Sequence, residues 1–254
     1  MENNINQYGQ MDFNLPHDVV LLPSKGVYYK SKKKSVKVGY LTAYDENTLT
    51  NINPNKSIKE TIVLPLLRNK VYEPDLRPEE LLDGDIEALL IFLRNTSFGP
   101  EYTVSVVDPA TNKTFTTDIL LDELDVIKTD VEPDINGHLT TTLPRSGNVV
   151  KLKFLTMKDT LELETIIETY PAGRPAPVAT LKLAKMIVDV DGNSDSGNIV
   201  KFVESMPIMD SKYIKKFMSD NEPRLDLTKQ VIAPSGERVM VNIAFGVEFF
   251  RPFF

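Results

Sequence analysis

The sequence predicts an α+β fold in which antiparallel β-hairpins and short sheets pack with a helical block, as one compact unit with an N-terminal arm. Three observations predict it. Segments with a period of two and segments with a helical period come in blocks (β-rich, helical, β, helical, β) rather than in strict alternation, which argues against a doubly wound parallel sheet. Turn signals at 108–113 and 231–237 join extended segments into hairpins. The 254 residues, 41% hydrophobic and 26% charged, can bury a sizeable core, and no Gly- or Ser-rich linker divides them.

Composition also removes several classes of function. With 29 Lys and Arg against 36 Asp and Glu, the formal charge is −7, which predicts no nucleic-acid partner and no anionic-membrane partner. There is no cysteine, hence no thiolate nucleophile and no cysteine-based metal site, and only two histidines, His17 and His138. His138 falls in a turn, Asn136-Gly137-His138, and His17 follows a proline in the arm, so both read as loop residues. Neither a signal peptide nor an apolar run of about eighteen residues is present, so a soluble protein is expected.

From the N-terminus, residues 1–17 are polar and read as the arm, containing Tyr8. Asp18 to Leu22 reads as a strand stopped by Pro23, Ser24-Lys25-Gly26 as a turn, and Val27-Tyr28-Tyr29 as an extended exit that places the two rings on opposite faces. The basic run Lys30, Lys32, Lys33, Lys34 and Lys37 reads as a solvated loop leading into a strand at Val36, Val38 and Tyr40. Asp45 to Leu49 is a short helix or turn. Ser57 and Glu60 form a capping box for a helix kinked at Pro65. One helical turn follows over 77–85, and Asp85 then opens a buried helix to Asn95, on which Ile86, Leu89, Leu90 and Leu93 share a face; Arg94 is placed to cap its carbonyls.

Tyr102 to Val107 is the first strand of a hairpin, and Val149 to Leu155 alternates as another strand. Thr156 and Asp159 cap a helix that ends before Pro171. Further helices are expected over 178–190, closed by Asp191-Gly192, over 198–206, and from an Asp210 cap through Phe217. Arg238 to Ile243 is a strand, after which Phe249, Phe250, Phe253 and Phe254 crowd the terminus. The expected division is a β-rich region with central helices (18–155), a helical region (156–222) and a C-terminal β-hairpin (223–254) packing back on the β-rich region.

Little here promises catalysis. No phosphate loop, dinucleotide fingerprint, nucleophile elbow or metalloprotease helix occurs. Asp83, Asp85 and Glu87 are the one set on which a carboxylate-based enzyme could be built, although Asp83 and Asp85 equally suit the start of a helix, where the dipole favours negative charge. Asp189, Asp191 and Asp195 superficially suggest a calcium loop, but the spacing fails and no glutamate closes it, so an ordinary acidic loop is expected.

Several landmarks, taken in order, resemble the baseplate protein family of T4-like contractile-tailed bacteriophages, in its hub and hub-assembly group. They are Leu22-Pro23-Ser24-Lys25-Gly26-Val27-Tyr28, Leu41 to Glu46, Leu82-Asp83-Gly84-Asp85 with Leu89 to Arg94, and Phe98-Gly99-Pro100-Glu101-Tyr102. Leu143-Pro144-Arg145-Ser146-Gly147, Met209-Asp210-Ser211, Glu222-Pro223-Arg224-Leu225-Asp226 and Phe249-Phe250-Arg251-Pro252 continue the series. The resemblance implies a structural virion component of the tail baseplate, made in the host cytoplasm, with no reaction catalysed and no cofactor. It implies other baseplate and tail proteins as partners, in a homo-oligomer or multiple copies within a symmetric assembly. A transient hub-assembly chaperone is the alternative, and the carboxylate enzyme a second.

Interface residues are expected at Tyr8, Tyr28, Tyr29, Phe249, Phe250, Phe253 and Phe254, since aromatic anchors dominate interface energetics. Members of the resembled family carry Cys-Pro-x-Cys zinc knuckles. Here Asp108-Pro109-Ala110-Thr111 and Ala233-Pro234-Ser235-Gly236 stand in those places, so two degenerate knuckle turns without metal are expected to lie near each other.

Overall fold

The computed structural model describes residues 16–50, 53, 56–171, 174–245 and 249. Its elements are helices and short antiparallel sheets, an α+β fold. The first hairpin pairs β1 (His17–Leu21) with β2 (Ser35–Gly39), Val19 opposite Lys37. His17 therefore starts a strand and is not a loop residue of the arm. Between these strands, residues 22–31 form successive turns, not an extended exit. Gly26 sits at φ +71°, and a Cβ there would lie 2.2 Å from the Lys33 carbonyl oxygen, so only glycine closes this loop without strain.

After α1 (Asp45–Thr50) the chain winds as a π-turn over Lys59–Val63 before α2 (Leu64–Lys70). This is how the break imposed by Pro65 is absorbed. Proline cannot donate the bond an α-helix needs there, and the ladder ahead of it widens, the Leu64 amide donating to the Lys59 carbonyl. Lys70 of α2 and Asp45 of α1 form a buried ion pair, and Asp45 also accepts from the Thr42 amide and hydroxyl. No local pattern announced that pair.

The expected turn at 77–85 is a single 3-10 turn, Pro78–Glu80, and the central helix α3 runs Asp83–Phe98, longer at both ends than expected. Ile86, Leu89, Leu90 and Leu93 are all buried, as the helical spacing requires. Gly99 ends it at φ +84°. Next come the hairpin β3 (Glu101–Val107) and β4 (Thr114–Leu120), with Val106 and Ile119 facing the core, and a three-stranded antiparallel sheet that begins with β5 (Leu139–Thr142) and β6 (Val149–Leu152).

Thr156 caps α4 (Met157–Glu168) through the reciprocal box with Asp159. The helix expected over 178–190 is instead α5 (Val178–Met186) followed by β7 (Ile187–Val190), which pairs with β6. Ile187 and Val190 are β-branched, and the open edge of β6 supplies hydrogen-bond partners that a solvent-exposed last helical turn lacks. Asp191 (φ +50°) and Gly192 (φ +86°) then make the tight turn typical of an Asp-Gly pair. Asp195 caps α6 (Ser196–Ser205). In α7 (Ile208–Asp220), Asp210 is not the cap: Pro207 holds that place, and the Asp210 carboxylate is fully buried against another segment.

The hairpin β8 (Thr228–Ile232) and β9 (Arg238–Asn242) completes the described fold. It is tied to the segment after β4 by the Ile127 amide on the Arg224 carbonyl, the Asp226 amide on the Asp125 carbonyl, and Lys229 Nζ on the Glu123 carbonyl at 2.7 Å. A continuous cluster of buried side chains links both hairpin groups to the helices. No helix among the described residues is long and apolar enough to cross a membrane.

Candidate functional site

The acids at the start of α3 do not converge. Residues two apart on a helix point to different faces, whereas four apart share one. Asp85, fully buried, faces the turns after β1: its carboxylate accepts from the Ser24 amide at 2.9 Å and from the Tyr29 hydroxyl, which in turn accepts from the Leu82 amide at 3.0 Å. Burial pushes the Asp85 carboxyl up against those bonds, and burial followed by the Asp85 charge pushes Tyr29 well above the usual tyrosine range. Asp83 lies on the other face and pairs with Lys59 at 2.8 Å. Glu87, one turn on, is pushed up to about 7 by burial and then by Asp83 and Glu222, against the opposing pull of Arg224 and Lys59. Glu222 is raised by burial and by Asp83. Asp85 is thus spent on the fold, and Asp83 on its pair with Lys59.

The second acidic set is also internal bonding. Asp189 accepts from the Gly192 amide and the Ser194 hydroxyl, Asp191 from the Val149 amide and the Asn148 side chain, and Asp195 from the Asn198 amide. Among the described residues no three His, Cys, Asp or Glu side chains are grouped to hold a metal ion.

The turns 108–111 and 233–236 meet. Asp108, buried, accepts from the Ser235 amide at 3.2 Å and the Ser235 hydroxyl at 2.8 Å, and from the Ala110 amide at 3.0 Å. Burial opposes its ionisation, but the bonds from Ser235, Ala110 and Thr111 prevail and hold its carboxyl below the usual range. Pro109 and Pro234 are exposed at the two tips, and Gly236 turns at φ +88° with its amide donating a hydrogen bond to the Ala233 carbonyl. This donor set does not fit zinc, since one carboxylate already accepting several hydrogens replaces the four soft or imidazole ligands a tetrahedral site needs.

Of the aromatic residues expected at an interface, Tyr29 is buried at 5% exposure and belongs to the core through Asp85, so it offers no outer surface. Tyr28 is half-buried with its ring edge-on to Phe154 at 5.0 Å. Phe249 is fully buried, 4.7 Å from the Phe245 ring and 5.5 Å from Tyr102, with the Arg94 guanidinium 5.8 Å from its centre. Arg94 reaches past its own helix to the Gly99 and Glu101 carbonyls at 2.7 and 2.9 Å, so it pins the entry to β3. Tyr8, Phe250, Phe253 and Phe254 lie outside the described residues.

One relationship escaped the sequence reading. The short motifs that carried the resemblance meet in pairs. Ser24 binds Asp85; Asp210 accepts from the Arg145 and Ser146 amides at 2.7 and 3.0 Å; and Gly84 packs so tightly on the 223–224 backbone that a Cβ would lie 2.1 Å from the Pro223 carbonyl oxygen. These motifs are latches between distant segments. The T4 bacteriophage base plate protein family matches residues 24–251 of the chain, a span that contains all of those latches.

The chain belongs to that family. No curated protein and no solved structure matches it. As a base plate protein it is a component of the phage virion tail, and other base plate and tail proteins are its partners. Among the described residues, exposed apolar side chains lie on the β8–β9 hairpin, where Ile232 and Met240 are 70% and 64% exposed, and on β1, where Val19 and Leu21 are 61% and 76% exposed.

Proposed function

We propose that this base plate protein is a structural subunit of the hub region of a contractile tail, acting through protein–protein contacts during tail assembly and catalysing nothing. The observation that carries the proposal is the family match over residues 24–251. The acids support it, because Asp85, Asp108 and Asp210 each serve a latch between distant segments. Exposed apolar side chains on two hairpins support partners that are proteins, and the charge of −7 speaks against nucleic acid or anionic lipid. In this reading the arm 1–17, the β-rich region 18–155, the helical region 156–222 and the returning hairpin 223–254 form one subunit, made in the host cytoplasm and present in several symmetric copies. Tyr8, Tyr28, Phe250, Phe253 and Phe254 contribute to its contacts.

Quantitative mass spectrometry of purified particles and of assembly intermediates tests this by counting the chain against a known tail subunit. A fixed copy number in mature particles is expected. Presence in intermediates alone would make the protein an assembly chaperone, and absence from both would discard the hub assignment.

A further inference from the structure

Three helices converge at one margin of the core, where part of their apolar surface faces a groove. Leu163 and Ile167 of α4, Leu183 and Met186 of α5, and Met218 of α7 recur at helical spacing and, with Phe154, bound an open groove of 710 Å³. Its floor is sealed, with Leu163, Leu183 and Met218 at most 4% exposed, while Val178 on its wall is 37% exposed. The apolar surface continues past the groove at Ile166 and Tyr170, which are 45% and 37% exposed.

The charges on the rim are unequally spent. Asp83 is paired with Lys59, Glu164 accepts from the Ser57 hydroxyl at 2.7 Å, and the half-buried Glu222 is pushed up by burial and by Asp83 against the pull of Arg224 and Lys59. Lys185, a turn from the groove wall, is held by Glu162 and Asp159. Lys182 of α5 and Lys215 of α7, exposed on facing walls, make no hydrogen bond or ion pair among the described residues. An occupant that brings carboxylates to those two ammonium groups gains charge complementarity without displacing any existing pair. The wall residues of α5 from Val178 to Met186 span about 12 Å, two helical turns, which suits apolar anchors spaced i, i+3 or i+4, and i+7 on an incoming helix.

We propose that this groove receives an amphipathic, acidic helix from another tail protein, its apolar side chains seated against Ile167, Val178 and Met186 above that floor and its carboxylates between Lys182 and Lys215. The inference rests on the base plate reading. It specifies one partner chemistry for one surface of the subunit.

The test places the photo-crosslinker p-benzoylphenylalanine at the exposed position Ala179, on the groove wall, in chain expressed during infection, with particles and intermediates collected after irradiation. The expected result is an adduct with a different tail protein, mapping to a segment with helical apolar spacing and Asp or Glu between the anchors. The double charge reversal Lys182→Glu with Lys215→Glu should lower the adduct yield by about tenfold, the loss expected when complementary charges become repulsive. Chain that assembles without an adduct overturns the groove assignment and leaves the base plate reading standing. The same holds for an adduct with a second copy of this chain, with a segment lacking acids, or with a yield indifferent to charge reversal. Chain missing from every particle and intermediate sinks both.

Discussion

The Tyr29 hydroxyl donates to the Asp85 carboxylate in the buried centre of the protein, and Ser24, 61 residues before Asp85, donates its amide to the same group. The turns after β1 are thereby held against the first turn of α3. Removing the hydroxyl in Tyr29→Phe leaves one carboxylate oxygen and the Leu82 amide unpaired in a dry environment. The expected cost is about 2 kcal/mol, seen as an unfolding midpoint lowered by roughly 5 °C. A loss under about 0.5 kcal/mol, the scale of an ordinary surface change, would show that water replaces the hydroxyl and that the latch is not buried as described.

Glu87 gives the pH dependence a definite sign. Its folded value near 7 lies above its ordinary 4.5, so between those limits the folded state holds a proton that the unfolded chain has released. Its contribution to stability is full at low pH, falls as pH rises from about 4.5 to about 7 and then levels off. Glu87→Gln, which cannot ionise, should therefore stabilise the protein by up to about 3 kcal/mol at pH 8 and by little at pH 4.5. Urea denaturation of both proteins at several pH values measures this. Parallel curves across the range would mean that Glu87 titrates normally.

Gly84 reverses the usual helix rule. Replacing a helical glycine with alanine ordinarily gains about 0.5–1 kcal/mol. Here the added methyl would stand 2.1 Å from the Pro223 carbonyl oxygen and 2.8 Å from the Arg224 Cα, both backbone atoms. Gly84→Ala should be destabilising, by about 1–3 kcal/mol, because the helix and the segment crossing it at 223–224 must part. A stabilised variant in chemical denaturation would disprove the close crossing.

The Asp108–Ser235 contact predicts a local effect. Asp108→Ala removes the acceptor for the Ser235 and Ala110 amides. Hydrogen exchange at these two amides should quicken by at least about tenfold, while the amides of α3 keep their protection, since opening the hairpin tips costs far less than global unfolding. Exchange that is unchanged at Ser235 would mean the two turns do not depend on each other.

Elements were legible in the sequence where the local pattern is strong. The buried face of α3, the box at Thr156 and Asp159, and the hairpin at 108–113 follow from spacing and turn chemistry that neighbouring residues encode. Ile187 to Val190 reads as helix in the sequence because an apolar run after a helix has no period that separates the two states; pairing with the edge of β6 makes it a strand. Asp85 and Asp210 resembled helix-start carboxylates for a similar reason. Both do sit in first turns, but their partners, Ser24 and Tyr29 for one and the 145–146 amides for the other, lie more than fifty residues away.

The amino-acid sequence by itself determined the α+β class, the absence of cysteine chemistry and the positions of the short motifs through which the family resemblance could be seen. Only the tertiary structure decided what those motifs do. It buried Tyr29 against Asp85, joined Asp108 to Ser235, set Gly84 under the 223–224 backbone and opened the groove between α4, α5 and α7. Periodicity is a property of residues a few positions apart, whereas the desolvation that turns a carboxylate into a latch depends on which distant segment covers it.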